Sequence, residues 1–218
     1  LKDHTDAVRI LTEELLNYHV VTELNEIKGV GHRVVHGGDV FSSSVIIDED
    51  VLKEIDRLSS LAPLHNPANL IGINAFRKII PDALEVAVFD TAFHQTIEKD
   101  RYLYSVPYEW YTEYGVRKYG AHGTSHKYIA NRISEIMKRD DLKIINCHIG
   151  NGGSISAIDG LKCIDTSMGF TPNAGIMMGS RSGDIDATLI PYVMKNTNMS
   201  IDEVETALNK KSGLLGIS

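Results

Sequence analysis

Apolar and polar residues alternate along the chain at two spacings, and the spacing changes from segment to segment. After a polar Thr5-Asp6 start, Val8, Leu11, Leu15 and Leu16 fall near one face of a 3.6-residue period, which predicts a first helix. Residues 29–38 read as a short strand between glycine turns, with His32, Arg33 and His36 at its centre. Asp48 is placed to cap a helix running to about Leu58. Asn66-Pro67 reads as a cap with proline at the first helical position, opening a helix to Ile79 that Pro81 stops. Leu84 to Phe89 is a strand ending at Asp90-Thr91, and Tyr108 to Tyr114 is an aromatic helix or loop. Thr124 or Ser125 is placed to cap a helix from His126 to Lys138. Leu142 to Cys147 is a strand running into the glycine-rich stretch 148–154. Ile155 to Ile158 and Leu161 to Ile164 are strands across an Asp159-Gly160 hairpin turn. A glycine-punctuated loop, 168–183, follows. Ser200 and Glu203 form a capping box for a last helix that Gly213 ends. Strands mixed with helices around a hairpin predict an α/β fold, with a boundary near Ala92.

Composition narrows the classes. With 218 residues, 43% of them hydrophobic and 23% charged, the chain is ordinary globular material. Its 29 acidic against 22 basic side chains give a formal charge of -7, so no global field favours nucleic acid or anionic lipid. Any phosphate must be held by a local site. Cys147 and Cys163 lie in apolar runs without metal or disulfide spacing. No apolar run is long enough to span a bilayer. The chain starts without Met and stops on an apolar stretch, so both ends read as cut from something longer, or the first as trimmed.

Five stretches carry candidate chemistry. The turn around His148, Ile149, Gly150, Asn151 and Gly152 offers backbone N–H groups and an amide to phosphate oxygens, or is a plain tight hairpin. Arg181, between small residues, has a fork suited to phosphate or carboxylate, or pairs with Asp184 or Asp186. Arg33 inside an apolar strand marks either a sheet edge or a cleft awaiting an anion. Asp90 ends a strand, where α/β sheets place ligand chemistry, or caps a helix. His122 enters a helix, and its i, i+4 spacing to His126 admits a metal pair less readily than a phosphate contact. His65 is most simply a loop histidine. Two arginines, a histidine, a carboxylate and a glycine turn, all at strand ends, make a phosphoryl-transfer set.

These stretches, His32 to Gly38, Phe89 to His94, Tyr119 to His126, His148 to Gly152 and Met178 to Asp184, resemble in order and spacing the successive motifs of the acetate kinase family. The resemblance implies a ribonuclease-H-like fold of the sugar kinase, Hsp70 and actin type, with parts of two domains around a cleft. Residues 1–92 would be the end of the family's first domain, on the carboxylate side. Residues 93–218 would be the first part of its second, on the ATP-phosphate side. It implies reversible, direct in-line transfer of the ATP γ-phosphoryl to acetate, giving acetyl phosphate and ADP, with Mg²⁺. Asp90, His122 and Arg181 would be catalytic. Arg33, Val35, Leu64, His65 and Pro172 would bind the carboxylate substrate, and residues 148–152 would form an ATP-phosphate loop. A cytoplasmic homodimer, without nucleic-acid or membrane partners, is implied as well.

Two departures qualify that implication. Ala121 stands where the family usually has Phe, which opens propionate or butyrate as acceptors, and pyrophosphate remains an alternative donor. The match covers about the middle half of the family's length. The family's Asn-x-Gly-Ser-Ser loop, later adenosine loops and Mg²⁺-placing glutamate have no counterpart here. The isolated chain is therefore expected to be inactive or nearly so. A non-catalytic phosphate- or nucleotide-binding module and a histidine-based metal hydrolase are the readings from other classes.

Overall fold

The computed structural model describes residues 4–63 and 65–218. It divides into two compact units, residues 1–92 and 93–218.

In the first unit α1 (His4–Asn17) is followed by β1 (Gly29–Val34), β2 (Val45–Ile46), α2 (Glu49–Arg57), α3 (Asn66–Ile79) and β3 (Leu84–Phe89). The sheet has the order β1-β3-β2. β1 runs parallel to β3 with Arg33 opposite Val88, and β2 is antiparallel. Asp48 caps α2, its carboxylate accepting from the Asp50 and Val51 amides. The core gathers Val34, Phe41, Ile55, Leu58, Ile73 and Phe89, with the Phe41 and Phe89 rings stacked 4.1 Å apart. His32 pairs with the buried Glu85 from the neighbouring strand.

Asn66 departs from its expected role. α3 is preceded by His65, and Asn66 is its first residue, fully buried. Its side chain turns back to the segment after β1, accepting from the His36 amide at 3.1 Å and donating to the His36 carbonyl at 3.0 Å. A buried amide satisfied at both ends is worth more there than at a cap.

The second unit holds α4 (Lys99–Tyr102), α5 (Tyr108–Tyr114), α6 (Gly123–Met137), β4 (Lys143–Ile149), β5 (Gly153–Asp159), β6 (Lys162–Thr166), α7 (Leu189–Thr197), α8 (Ile201–Lys210) and α9 (Gly213–Ile217). The three strands form an antiparallel meander, β4-β5-β6. Phe93, Ile97, Ala130, Ile158 and Cys163 pack at its core. β4 is an edge strand whose outward residues include the exposed Ile145 and Ile149.

Three expectations shift here. α6 starts at Gly123, with His122 at its cap position in the left-handed region (φ 58°, ψ 20°) and no side-chain cap. Neither Thr124 nor Ser125 caps it, because the entry is steered by the placement of His122. The hairpin turn between β5 and β6 is Gly160-Leu161, both at positive φ, one residue later than the Asp159-Gly160 reading. Gly213 does not end a helix. At φ +63° it opens α9, where a Cβ would lie 2.1 Å from the Met178 carbonyl oxygen. Ser200 and Glu203 do form their capping box on α8.

Candidate active site

In the first unit the segment that leaves β1 is held open by backbone-to-side-chain bonds. The amides of Val35, His36 and Gly37 donate to Asn69, Asn66 and Thr91 side chains at 3.1, 3.1 and 3.0 Å. Of these three anchors, the sequence marks Asn66 as a helix cap and Thr91 only as the end of a strand, and it does not single out Asn69. Beside this segment the Arg33 guanidinium donates to Asp90 at 2.7 Å, from the edge strand to the buried end of β3. Val35 is buried, while His65 is exposed at the entry to α3. Leu64 lies outside the described residues.

In the second unit the stretch 148–154 is a tight hairpin. His148 and Ile149 complete β4, Gly153 opens β5, and Gly150 donates to the Gly152 carbonyl across the turn. The turn approaches Arg181 so closely that a Cβ on Gly152 would sit 2.3 Å from Arg181 Nη2 and 3.4 Å from His122 Cε1. This is where glycine is required for a close approach. The Gly179 amide donates to the Asn151 carbonyl at 3.0 Å, tying the arginine loop to the hairpin. Arg181 Nη1 donates to the Pro172 carbonyl at 2.6 Å. Burial lowers the Arg181 pKa from its ordinary value, the penalty of holding a charge away from water. It makes no ion pair with Asp184 or Asp186 among the described residues. Those carboxylates accept from the Gly175 amide and from Thr188.

His122 sits beside this cluster, its ring stacked 4.1 Å from that of His148. Its left-handed backbone costs roughly 1–2 kcal/mol for a non-glycine residue. Neighbouring bonds offset that cost. His94 bridges Cys163 and the Ala121 carbonyl, at 3.1 and 2.9 Å, immediately before His122. His122 Nδ1 lies 2.9 Å from the Ser154 hydroxyl. His126, one turn along α6, reaches the same hydroxyl at 2.8 Å. His148 Nδ1 meets the Ser125 hydroxyl at 2.9 Å. Ala121 is buried against Met168 and Met178. Sequence reasoning missed His94, Ser154, Asn146 and His126 as supports, since each is polar yet sits inside an ordinary element.

The structure thus brings Arg33 and Asp90 together in one unit, and His122, His148, Gly152, Pro172 and Arg181 together in the other. In the second unit, cationic and N–H groups at a glycine turn suit a multiply charged oxyanion. Among the described residues no group of three or more His, Cys, Asp or Glu is placed to hold a metal ion, and no helix is long and apolar enough to cross a membrane.

Comparison with known proteins agrees in one direction. The model of the acetokinase family matches residues 1–218. The chain is 58% identical to the acetate kinase of Geobacillus kaustophilus and 57% identical to that of Bacillus subtilis, in each case over all of this chain and 56% of the relative. Among solved structures, the acetate kinase of Porphyromonas gingivalis aligns with a TM-score of 0.93 at 44% identity, over 100% of this chain and 56% of that one. A propionate kinase from Francisella tularensis aligns with a TM-score of 0.93 at 46% identity, over 98% and 55%. The chain spans about half the length of the curated relatives it matches. Matched from end to end by the family's model and by its relatives, this chain belongs to the acetokinase family.

Proposed function

We propose that this chain is part of an acetate kinase, carrying its carboxylate-side groups on residues 1–92 and its ATP-phosphate side on residues 93–218. The observation that carries the reading is the packing of Gly152 against Arg181 and His122. That packing leaves a fork of N–H donors and an imidazole at the tip of a glycine turn.

In the reaction, an acetate oxygen attacks the γ-phosphorus of ATP, and the bond from that phosphorus to the β–γ bridging oxygen breaks. ADP leaves and acetyl phosphate forms. Acetate is ionised at neutral pH, so no general base is needed. The obstacle is repulsion between a carboxylate and a phosphoryl group, and positioned cations address it directly. Arg181 and His122 donate to the transferring group, with residues 148–152 presenting the turn to the ATP phosphates. Arg33 draws in the carboxylate substrate, and Asp90 holds the Arg33 fork in place. Val35, Leu64, His65 and Pro172 belong to the substrate side. Mg²⁺ is expected with ATP, where it would offset phosphate charge; among the described residues no group of three or more His, Cys, Asp or Glu is placed to hold it.

Propionate is the second acceptor to consider. Ala121 in place of the usual Phe favours it, and so does the likeness to a propionate kinase. The test uses a protein of the family's full length carrying this sequence. Phosphoryl transfer to acetate, propionate and butyrate is compared, with ATP and with pyrophosphate. ATP-dependent transfer to acetate, or to propionate, supports the reading and names the acceptor. Absence of carboxylate-dependent transfer overturns it in favour of a binding module. A homodimer in the cytoplasm accompanies this proposal.

A further inference from the structure

We infer that Asn146, His126 and Ser154 form a hydrogen-bond relay that sets the ring tautomer of His122, leaving its proton on Nε2. The direction of each bond follows from donor chemistry. The Asn146 Nδ2 atom can only donate, and it lies 2.8 Å from His126 Nδ1. His126 Nδ1 is therefore an acceptor without a proton. An imidazole retains at least one N–H, so His126 carries it on Nε2, 2.8 Å from the Ser154 hydroxyl. That hydroxyl accepts from His126, and its own proton remains to be given. His122 Nδ1 lies 2.9 Å from the same oxygen. No other hydrogen bond of the Ser154 hydroxyl is found among the described residues. His122 Nδ1 takes the proton of Ser154, and the proton of His122 sits on Nε2.

Burial makes the relay firm. His126 and Ser154 are 0% exposed and Asn146 is 8% exposed, so water does not reset any of its bonds. The relay joins three elements: Asn146 on β4, Ser154 on β5 and His126 on α6. A Cβ on Gly152 would lie 3.4 Å from His122 Cε1 and 2.3 Å from Arg181 Nη2. Asn146, His126 and Ser154 are positioning residues in this account. They do not meet substrate, and they act by making His122 a donor toward an oxyanion beside Arg181. That use of the proton rests on the kinase reading, whereas the tautomer itself does not.

The test is nitrogen NMR of the histidine rings in this chain, without substrate. The chain is labelled with ¹⁵N-histidine and held at about pH 8.5, above the ordinary histidine range. Protonated and bare ring nitrogens give well separated shifts, so each ring reports its tautomer. His122 and His126 are both expected with the proton on Nε2 alone. Ser154→Ala is expected to leave His126 unchanged and to turn the His122 signals into a mixture. Ser154→Thr, which keeps a hydroxyl, is expected to restore the single His122 tautomer. A wild-type His122 protonated on Nδ1 overturns the proposal, as does a Ser154→Ala spectrum in which His122 keeps its single tautomer. The wild-type spectrum decides even where a variant does not fold. Because no turnover is measured, failure of the relay and failure of the kinase reading are told apart.

Discussion

The Arg33 guanidinium meets the Asp90 carboxylate at 2.7 Å, with the arginine side chain 58% exposed and the aspartate 2%. The pair therefore spans from solvent to interior. Its inner member holds its outer member in place, an arrangement that would suit the anion-binding role proposed for Arg33. A fully buried pair broken at one end costs about 3–5 kcal/mol, and an exposed pair less than about 1. Arg33→Ala is expected between these, with this chain less stable by roughly 1–2 kcal/mol in urea unfolding. Arg33→Lys, which keeps charge near Asp90, is expected to recover part of that stability without the fork.

Gly152→Ala aims at the close approach of the hairpin to Arg181. The added methyl meets the far end of a flexible side chain, so the fold is expected to survive while the guanidinium is displaced. In a protein of full family length, phosphoryl transfer is expected to fall on the order of 100-fold, the scale of misplacing a reacting group by about 1 Å. Circular dichroism of the same variant checks that the fold is kept.

Arg181→Lys keeps the charge and loses the planar fork. One guanidinium nitrogen now bonds the Pro172 carbonyl while the other faces Gly152, and a single ammonium cannot span both. A loss of roughly 100-fold or more in kcat is expected, the scale of removing one preorganised oxyanion donor. A near-wild-type rate refutes the role.

The two cysteines are expected to react very differently. Cys163 is buried, and burial pushes its thiol up to about 12, so it stays protonated and unreactive at mildly alkaline pH. Cys147 is exposed on β4. Iodoacetamide on the native chain is expected to give one adduct by mass spectrometry, and two after unfolding.

His36 predicts the acid limb of stability. Burial lowers its pKa to about 4, with Asp39 opposing weakly, and its Nδ1 already accepts from the Gly38 amide. The unfolded chain binds a proton near the ordinary value of about 6.5, and the native state does not until about 4. Stability is therefore full above about 6.5 and declines as the pH falls between these values, by up to about 3 kcal/mol. His36→Gln is expected to flatten this part of the curve in denaturant unfolding against pH.

Local chemistry was legible where it is self-contained. Asp48 and the Ser200–Glu203 box act on amides two or three residues away, so the sequence displays both halves of each bond. The strand Leu84–Phe89 and the α/β class were likewise readable from period alone. Asn66 was misread because its partners are His36 and Ile55, which lie far away in the chain. The two-residue β2 and the helix α7 carry no start signal that separates them from loop. In the site, Arg33, Asp90, His122 and Arg181 stood out as charge or ring placed among small and apolar residues. Their supports did not, since Ser154 and Asn146 look like ordinary strand residues until the fold turns them toward histidines. The family likeness joined the motifs into one reaction, and spacing alone did not.

Gly213 bears on the order of assembly. The amides of Ser212, Leu214 and Leu215 donate to the carbonyls of Ser180, Met178 and Gly179, so the backbone of the arginine loop is closed from behind by a much later stretch of chain. While the ribosome is still making α7 and α8, the strands of the meander are complete, and the arginine loop has only its earlier ties, from the Gly179 amide to the Asn151 carbonyl and from the Met178 amide to the Arg181 carbonyl. The bonds from Ser212, Leu214 and Leu215 are added only once the chain around Gly213 has been made.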